Sequence, residues 1–332
     1  MQAGTSHASR RTVRPQVGEL GLPRTGQGYL SLPVHPGAQW QRMSEHPRGA
    51  YGLRLGPPLS EELLVEVPES WPQWQLSWQY EPPAPPAPQH LSAQDAQFNV
   101  QPSGRVVIER VAQRSTLYSP KRPTPCSWAH PYLASTAAIS AHWRGWACFH
   151  AGAFIVGDGA WALLAGREGG KSSLLAWLAL RGHQVVCDDV LVVDGQHGLA
   201  GPRCVDLREN ASKYLKVGRN IGQAGTRERW RVQVGPVPPA TPLRGWVALA
   251  WGQQVTVEAL KAAERYSLLA RNRAVLTSQE SGDWLGLLAL PMLRFCRPQA
   301  WSGLDDAMRE LLGAIERLSV VPDLGAATFG GH

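Results

Sequence analysis

The sequence lacks the features that would place the chain in a membrane or in an oxidising compartment. No window approaches the ~18 consecutive apolar residues of a membrane-spanning helix, and the opening stretch MQAGTSHASRR contains no apolar signal segment. The five cysteines form no CxxC pair and no even framework, which predicts free and mostly buried thiols. We therefore expect a cytoplasmic protein with no membrane partner.

A clustered run of basic residues is also missing. The formal net charge is +7, but the arginines are spread along the whole chain, whereas binding to nucleic acid needs a basic stripe. We therefore expect no nucleic-acid partner. A chain of 332 residues with 43% hydrophobic residues can bury one sizeable core or two, which predicts one main domain and a smaller one.

The first 130 residues divide by pattern into two parts. Residues 1–60 show little periodicity and scattered glycine and proline, which predicts a poorly ordered or peripheral lead-in. Residues 61–130 predict a small β-rich N-terminal domain, because LLVEVP and WQLSWQY alternate and FNVQPSGRVVIERV contains a central turn. Trp71, Trp74 and Trp78 in this part favour core or domain-interface packing over carbohydrate or peptide binding.

Residues 131–320 alternate strand and helix patterns, as an α/β domain does. PYLASTAAISAHW has helical spacing, ACFHAGAFIV and AWALLAG predict a hairpin around Gly-Asp-Gly, and residues 172–181 predict a helix closed by Gly182. HQVVC and VLVVDG follow as strands. We further expect a strand at 245–251, helices at 257–270 and 304–318, and a flexible tail at 321–332.

The stretch AGREGGKSS, residues 165–173, lies between a predicted strand and a predicted helix. In phosphate-binding loops, glycine-rich backbone N–H groups surround a phosphate, a lysine contacts it and a serine hydroxyl holds Mg²⁺. Three residues separate Gly166 from Gly170, where the usual pattern has four, and a plain glycine turn before a helix is the alternative. We expect ATP and Mg²⁺ here, with the nucleotide bound by Gly166, Gly169, Gly170, Lys171, Ser172 and Ser173.

Two adjacent carboxylates, Asp188 and Asp189, end the strand that follows the predicted loop helix. One of them can accept the proton of an attacking hydroxyl while the other helps to hold Mg²⁺. A polar turn at a strand end is the alternative interpretation of the same pair.

The stretch FHAGAFIVGDGAWALLAGREGGKSSLLAWLALRGHQVVCDDVLVV resembles the catalytic domain of HPr kinase/phosphorylase and related bacterial serine kinases. The resemblance rests on His150, the hairpin before the loop, GKS, the RGH that ends the helix, and the Asp pair. It implies an α/β fold with a P-loop kinase core of the HPr kinase/phosphoenolpyruvate carboxykinase type and a smaller β-rich N-terminal domain. By position it implies Asp188 as catalytic base, His150 and Lys171 beside the transferred phosphate, and Ser172 with Asp189 as Mg²⁺ ligands.

The chain also departs from that family. GPRCVDLREN stands where the family has a glutamate-bearing segment, with Asp206 or Glu209 as the candidate carboxylate, and the N-terminal half does not resemble the regulatory domain. These departures indicate a specialised relative, such as the kinases that phosphorylate serine on ribosomally made peptides.

The resemblance implies an ATP-dependent phosphotransferase acting on a Ser or Thr hydroxyl of a peptide or small protein, in peptide natural-product biosynthesis. A small-molecule kinase on the same fold and a non-catalytic nucleotide-binding scaffold are the alternatives. The acceptor contacts that we expect are residues 71–80 and the arginines of RERWRV, although RERWRV is equally compatible with an edge strand of solvated arginines. The resemblance also allows a homo-oligomer.

Overall fold

A computed structural model of the chain describes residues 46–100, 104–275 and 283–319. Contacts between Cα atoms divide the chain into Met1–Met43 and Ser44–His332, and every described residue belongs to the second unit. Most of the predicted lead-in and the predicted tail therefore lie outside the described residues. Among the described residues, no helix combines the length and the apolar character needed to cross a membrane.

The strands of the described residues are grouped into four sheets. Their bounds are β1 Arg48–Ala50, β2 Leu53–Arg54, β3 Val65–Glu66, β4 Gln75–Tyr80, β5 His90–Leu91, β6 Asp95–Asn99, β7 Arg105–Glu109, β8 Arg114–Ser119, β9 Ala147–Phe149, β10 Ala151–Val156, β11 Gly159–Leu164, β12 Val185–Cys187, β13 Leu191–Asp194, β14 His197–Leu199, β15 Cys204–Leu207, β16 Arg219–Ala224, β17 Arg227–Gln233, β18 Ala240–Trp251, β19 Thr256–Ala259 and β20 Met292–Arg297. The helices are α1 Pro125–Ser127, α2 Leu133–Trp143, α3 Lys171–Leu180, α4 Glu209–Leu215, α5 Ala262–Arg271, α6 Trp284–Ala289 and α7 Leu304–Ser319, with a 3₁₀ turn at Glu61–Leu63 and a π-helical segment at Trp128–Tyr132.

The largest sheet carries the residues of interest. Its order is β12-β10-β11-β18-β14-β13-β9, with β20 beside β18 and β19 beside β20. Strands β11, β18 and β20 run parallel to one another, so their carboxyl ends meet at one edge of the sheet. In α/β proteins this edge is where ligands bind.

The remaining sheets are smaller. Strands β4-β8-β7-β6-β5 form a five-stranded sheet, and β2-β1-β3 and β15-β17-β16 form three-stranded ones. The protein is therefore a mixed α/β protein, as expected from the alternating patterns, and β10 and β11 form the predicted antiparallel hairpin.

Two local expectations are corrected. The helix expected at 257–270 starts only at Ala262, because TVEA forms β19 and pairs with β20. RERWRV is not an edge strand, since β17 pairs with β15 on one side and β16 on the other. The described part of the expected lead-in contains β1 and β2, and Ala50, Tyr51 and Leu53 in and between these strands are buried.

The two predicted domains share one core. The same cluster of buried side chains contains Tyr51 and Leu117 from the N-terminal part and Phe149 and Trp246 from the large sheet. The rings of Phe149 and Trp246 lie 5.0 Å apart in an edge-to-face arrangement. A second cluster surrounds α3 and α7. The domain boundary at residue 130 stays a prediction, although side chains from both sides of it pack together.

The cysteines and tryptophans lie largely as expected. All five cysteines are free, and Cys148, Cys187 and Cys204 are buried. Trp74 is in the core and donates to Ser115 Oγ at 2.9 Å.

Candidate functional site

The loop between β11 and α3, residues 165–170, is called the glycine loop below. A Cβ on Gly169 would lie 2.5 Å from the Cβ of Ala165, so the shortened loop requires glycine at position 169. Gly170 has φ 90° and Glu168 has φ 67°, both in the left-handed region. The loop is therefore a tight turn whose backbone conformation depends on its glycines.

The N-terminus of α3 faces this turn without a cap. Gly170 is the N-cap residue, and within residues 46–100, 104–275 and 283–319 no side chain accepts a hydrogen bond from the first N–H groups of the helix. Free N–H groups and the positive end of the helix dipole favour an anion at this point.

Lys171 is the first residue of α3 and is buried. Its Nζ donates to the carbonyl oxygen of Ala165 at 2.7 Å, across the glycine loop. Burial lowers the pKa of Lys171, and the negative charges of Asp189 and Asp188 oppose that effect. The ammonium therefore lies against the loop and close to both carboxylates.

Asp188 is linked to α3 and to β15. Its Oδ1 accepts from Ser172 Oγ at 2.9 Å, and its Oδ2 accepts from the backbone N–H of Asp206 at 3.3 Å. Asp188 is only 3% exposed, and burial raises the pKa of its carboxyl group, whereas the nearby His130 lowers it. The sequence analysis missed His130, which is buried with no hydrogen-bond partner for either ring nitrogen among the described residues.

Unlike Asp188, Asp189 faces His150, because the backbone turns sharply at Asp189. It has φ 70° and is the central residue of a three-residue turn that the N–H of Val190 closes on the carbonyl of Asp188 at 2.9 Å. His150 Nδ1 lies 3.0 Å from the Asp189 carbonyl oxygen and 3.4 Å from its Oδ1. Strained backbone of this kind clusters at active sites and ligand-binding sites.

A cavity of about 900 Å³ opens at this edge of the large sheet. Of the residues predicted from sequence, the following line it: His150, Gly166, Gly169, Gly170, Lys171, Ser172, Ser173 and Asp189. Asp188 does not line it. Asp206 lines it, whereas Glu209 is exposed and pairs with Lys213 at 2.7 Å, so Asp206 is the carboxylate of GPRCVDLREN that belongs to the site.

The carboxylate of Asp206 is already fully engaged. Arg231 donates to Oδ1 from Nε at 2.7 Å and to Oδ2 from Nη2 at 2.8 Å. Burial alone would raise the pKa of Asp206, but the bonds from Arg231 keep it below its ordinary value. Arg231 is therefore an internal partner of Asp206 and not the exposed peptide contact expected from RERWRV.

The lining of the cavity carries more positive than negative side chains. The six cationic lining residues are Arg167, Lys171, Arg208, Arg227, Arg229 and Arg297. The three acidic ones are Glu168, Asp189 and Asp206. Arg208 pairs with Glu168 at 2.6 Å, while Arg167 and Arg227 form no ion pair within the described residues. Burial lowers the pKa of Arg227, and the like charges of Arg229, Arg208 and Arg167 lower it further. The cavity is suited to anions.

Two residues of this lining, Trp251 and Arg297, gave no signal in the sequence analysis. They end β18 and β20 and are cross-strand neighbours. The strand that ends at Trp251 was expected, whereas β20, which ends at Arg297, was not. The place of both residues beside the glycine loop depends on the order of the strands. Trp71, Trp74 and Trp78 are not part of the lining.

Comparison with known proteins adds little to this geometry. No protein-family model matches the chain, and no curated protein matches it. Among solved structures, the Hpr(Ser) kinase/phosphatase from Coxiella burnetii is similar over 52% of this chain and 91% of its own, with 14% sequence identity and a TM-score of 0.28.

Proposed function

We propose that the protein is an ATP-dependent phosphotransferase that phosphorylates a Ser or Thr hydroxyl of a peptide or small protein. The observation that carries the proposal is the uncapped N-terminus of α3, which meets Lys171 and the bonded pair Ser172 and Asp188 beside a cationic cavity. This is the combination of backbone N–H groups, lysine, hydroxyl and carboxylate that nucleotide phosphates and Mg²⁺ require.

The residues present fit both ligands. The N–H groups of α3 and Lys171 would hold the phosphates of ATP. No cluster of three or more His, Cys, Asp or Glu side chains that could hold a metal occurs among the described residues, but Mg²⁺ in phosphate sites needs only one or two carboxylates besides phosphates and water. When bound, ATP with Mg²⁺ supplies the transferable phosphoryl group.

The geometry supports an exchange of the two carboxylate roles that the resemblance implies. Asp188 is buried, bonds Ser172 and does not line the cavity, so it suits the Mg²⁺ side. The Asp189 side chain is 38% exposed and lines the cavity beside His150. A general base must come within hydrogen-bond reach of the hydroxyl that it deprotonates. We therefore assign Asp189 as the base, with His150 as its positioning residue.

The acceptor is proposed from the cationic lining. Arg227 and Arg229 belong to β17 and line the cavity, so they can contact an extended peptide and the charge that develops on the transferred group. Residues 71–80 are not part of this lining, so we no longer assign them to acceptor binding. We place this reaction in the biosynthesis of a modified peptide natural product.

The experiment combines the purified protein with labelled ATP, Mg²⁺ and precursor peptides encoded next to its gene. We expect label on a peptide serine or threonine, with a mass gain of one phosphate group or a multiple of it. Lys171→Ala should abolish transfer, whereas Lys121→Ala, which removes an exposed lysine far from the loop in sequence, should not. Label on a free small molecule alone would favour the small-molecule kinase, and ATP binding without transfer to anything would favour the scaffold.

A further inference from the structure

Arg297 is a buried cation without an acidic partner. The residue is 6% exposed, and no carboxylate lies within ion-pair distance of it in the part of the chain that the structure describes. The hydrogen bond that its guanidinium makes is a long one, 3.4 Å from Nη1 to the carbonyl oxygen of Pro298. Burial lowers the pKa of Arg297 to about 10. Buried charges in proteins are normally paired, so this guanidinium lacks an anion.

The position of Arg297 shows where that anion would lie. The guanidinium carbon is 4.3 Å from the centre of the Trp251 ring, which holds the side chain in a stacked position. A Cβ on Gly170 would be 2.6 Å from Arg297 Nη2 and 3.2 Å from Trp251 Cη2, so the pair rests directly against the N-cap of α3. A ten-residue helix with an uncapped N-terminus and an unpaired buried cation therefore meet at one point that opens on the cavity.

We propose that Arg297 and the N-terminus of α3 together bind a phosphate group of the nucleotide, and that Trp251 keeps the guanidinium in place. The proposal rests on the proposed function, because it names a further phosphate ligand for the same nucleotide. Lys171 approaches the loop from the side of Ala165, whereas Arg297 approaches at Gly170, so the two cations would bind different oxygens of the phosphate chain. A guanidinium can donate two parallel bonds to one phosphate, which an ammonium cannot.

The test is calorimetric titration of magnesium pyrophosphate and of magnesium ADP into the wild type and three variants. Arg297→Gln should weaken both ligands about tenfold or more, which is the loss of one charge-assisted contact. The affinity of Arg297→Lys for both ligands should lie between those of the wild type and Arg297→Gln, because lysine keeps the positive charge but cannot donate two parallel bonds to one phosphate. Arg294→Gln is the matched control, since Arg294 lies on the same strand and pairs with Glu264 at 2.6 Å; it should bind both ligands as the wild type does.

Folding is checked by thermal melting without ligand. Arg297→Gln leaves no carboxylate unpaired, so we expect it to fold, and Arg297→Lys serves if it does not. The inference is overturned if both Arg297 variants bind pyrophosphate as tightly as the wild type does. It is also overturned if the variants lose affinity for ADP alone, because Arg297 would then contact the nucleoside and not a phosphate. If the wild type transfers phosphate and the variants bind pyrophosphate normally, the inference fails alone. If the wild type binds pyrophosphate and ADP through Arg297 but transfers no phosphate to any acceptor, the proposed function fails alone.

Discussion

Replacing Arg231 by methionine should be among the most damaging single changes in the molecule. The side chains of Asp206 and Arg231 are 1% and 7% exposed and share two bonds of 2.7 and 2.8 Å. Removing one partner of a buried pair costs about 3 to 5 kcal/mol, because it leaves the other charge unpaired. Arg229 Nη1 lies 3.7 Å from Asp206 Oδ2 and offsets part of the loss, so we expect a destabilisation of about 3 kcal/mol.

The effect should depend on pH in a defined direction. The folded-state pKa of Asp206 is lowered, so its contribution is present above the ordinary aspartate value of about 4 and is lost as pH falls through the folded-state pKa. In Arg231→Met the unpaired, buried carboxyl would have a raised pKa, so that variant loses stability as pH rises. The gap between the two proteins should therefore be larger at neutral pH than in acid.

Urea unfolding at neutral and mildly acidic pH measures this gap. Arg219→Met is the matched control, because Arg219 is exposed on the neighbouring strand β16, and it should change stability by less than about 0.5 kcal/mol. The double variant Asp206→Asn with Arg231→Met should recover part of the loss. A loss below about 1 kcal/mol for Arg231→Met at neutral pH, or a gap that does not change with pH, would refute the reasoning.

The remaining predictions concern the loop, the carboxylates and the shared core. Lys171→Ala should weaken ATP binding in calorimetry by roughly 1.5 to 3 kcal/mol, and unchanged affinity would contradict the loop assignment. Asp189→Asn should lower turnover about 10²- to 10⁴-fold without changing the Mg²⁺ concentration needed for half-maximal activity. Asp188→Asn should raise that Mg²⁺ concentration. The opposite pattern would restore Asp188 as the base. A chain lacking residues 1–118 should show no cooperative thermal transition in circular dichroism, because it loses Tyr51 and Leu117 from the shared core, and a sharp transition would show that the later residues fold alone.

The parts of the site that lie close together in the chain were predictable from the sequence. The two apolar runs around Gly-Asp-Gly predict the β10–β11 hairpin, and GKS after it predicts the turn into α3, because these are local properties of the backbone and of glycine. TVEA was wrongly joined to the following helix. Its strand conformation depends on pairing with β20, which the local pattern does not show.

The same limit applies to the arginines of RERWRV. Their alternation places them on one face of a strand, and this much was readable. Which of them is buried depends on β15, which brings Asp206 against Arg231, 25 residues away in sequence.

The sequence by itself therefore determined the β10–β11 hairpin, helices α3 and α7, the glycine loop and the candidate residues that adjoin it, because short-range sterics and hydrophobic periodicity act within a few residues. Only the tertiary structure decided that Asp189 rather than Asp188 faces the cavity, since that depends on a left-handed turn closed between Asp188 and Val190. It alone also placed Arg297 against Gly170. Arg297 ends β20, and Gly170 ends the loop that follows β11. The two residues meet because β11, β18 and β20 run parallel and side by side.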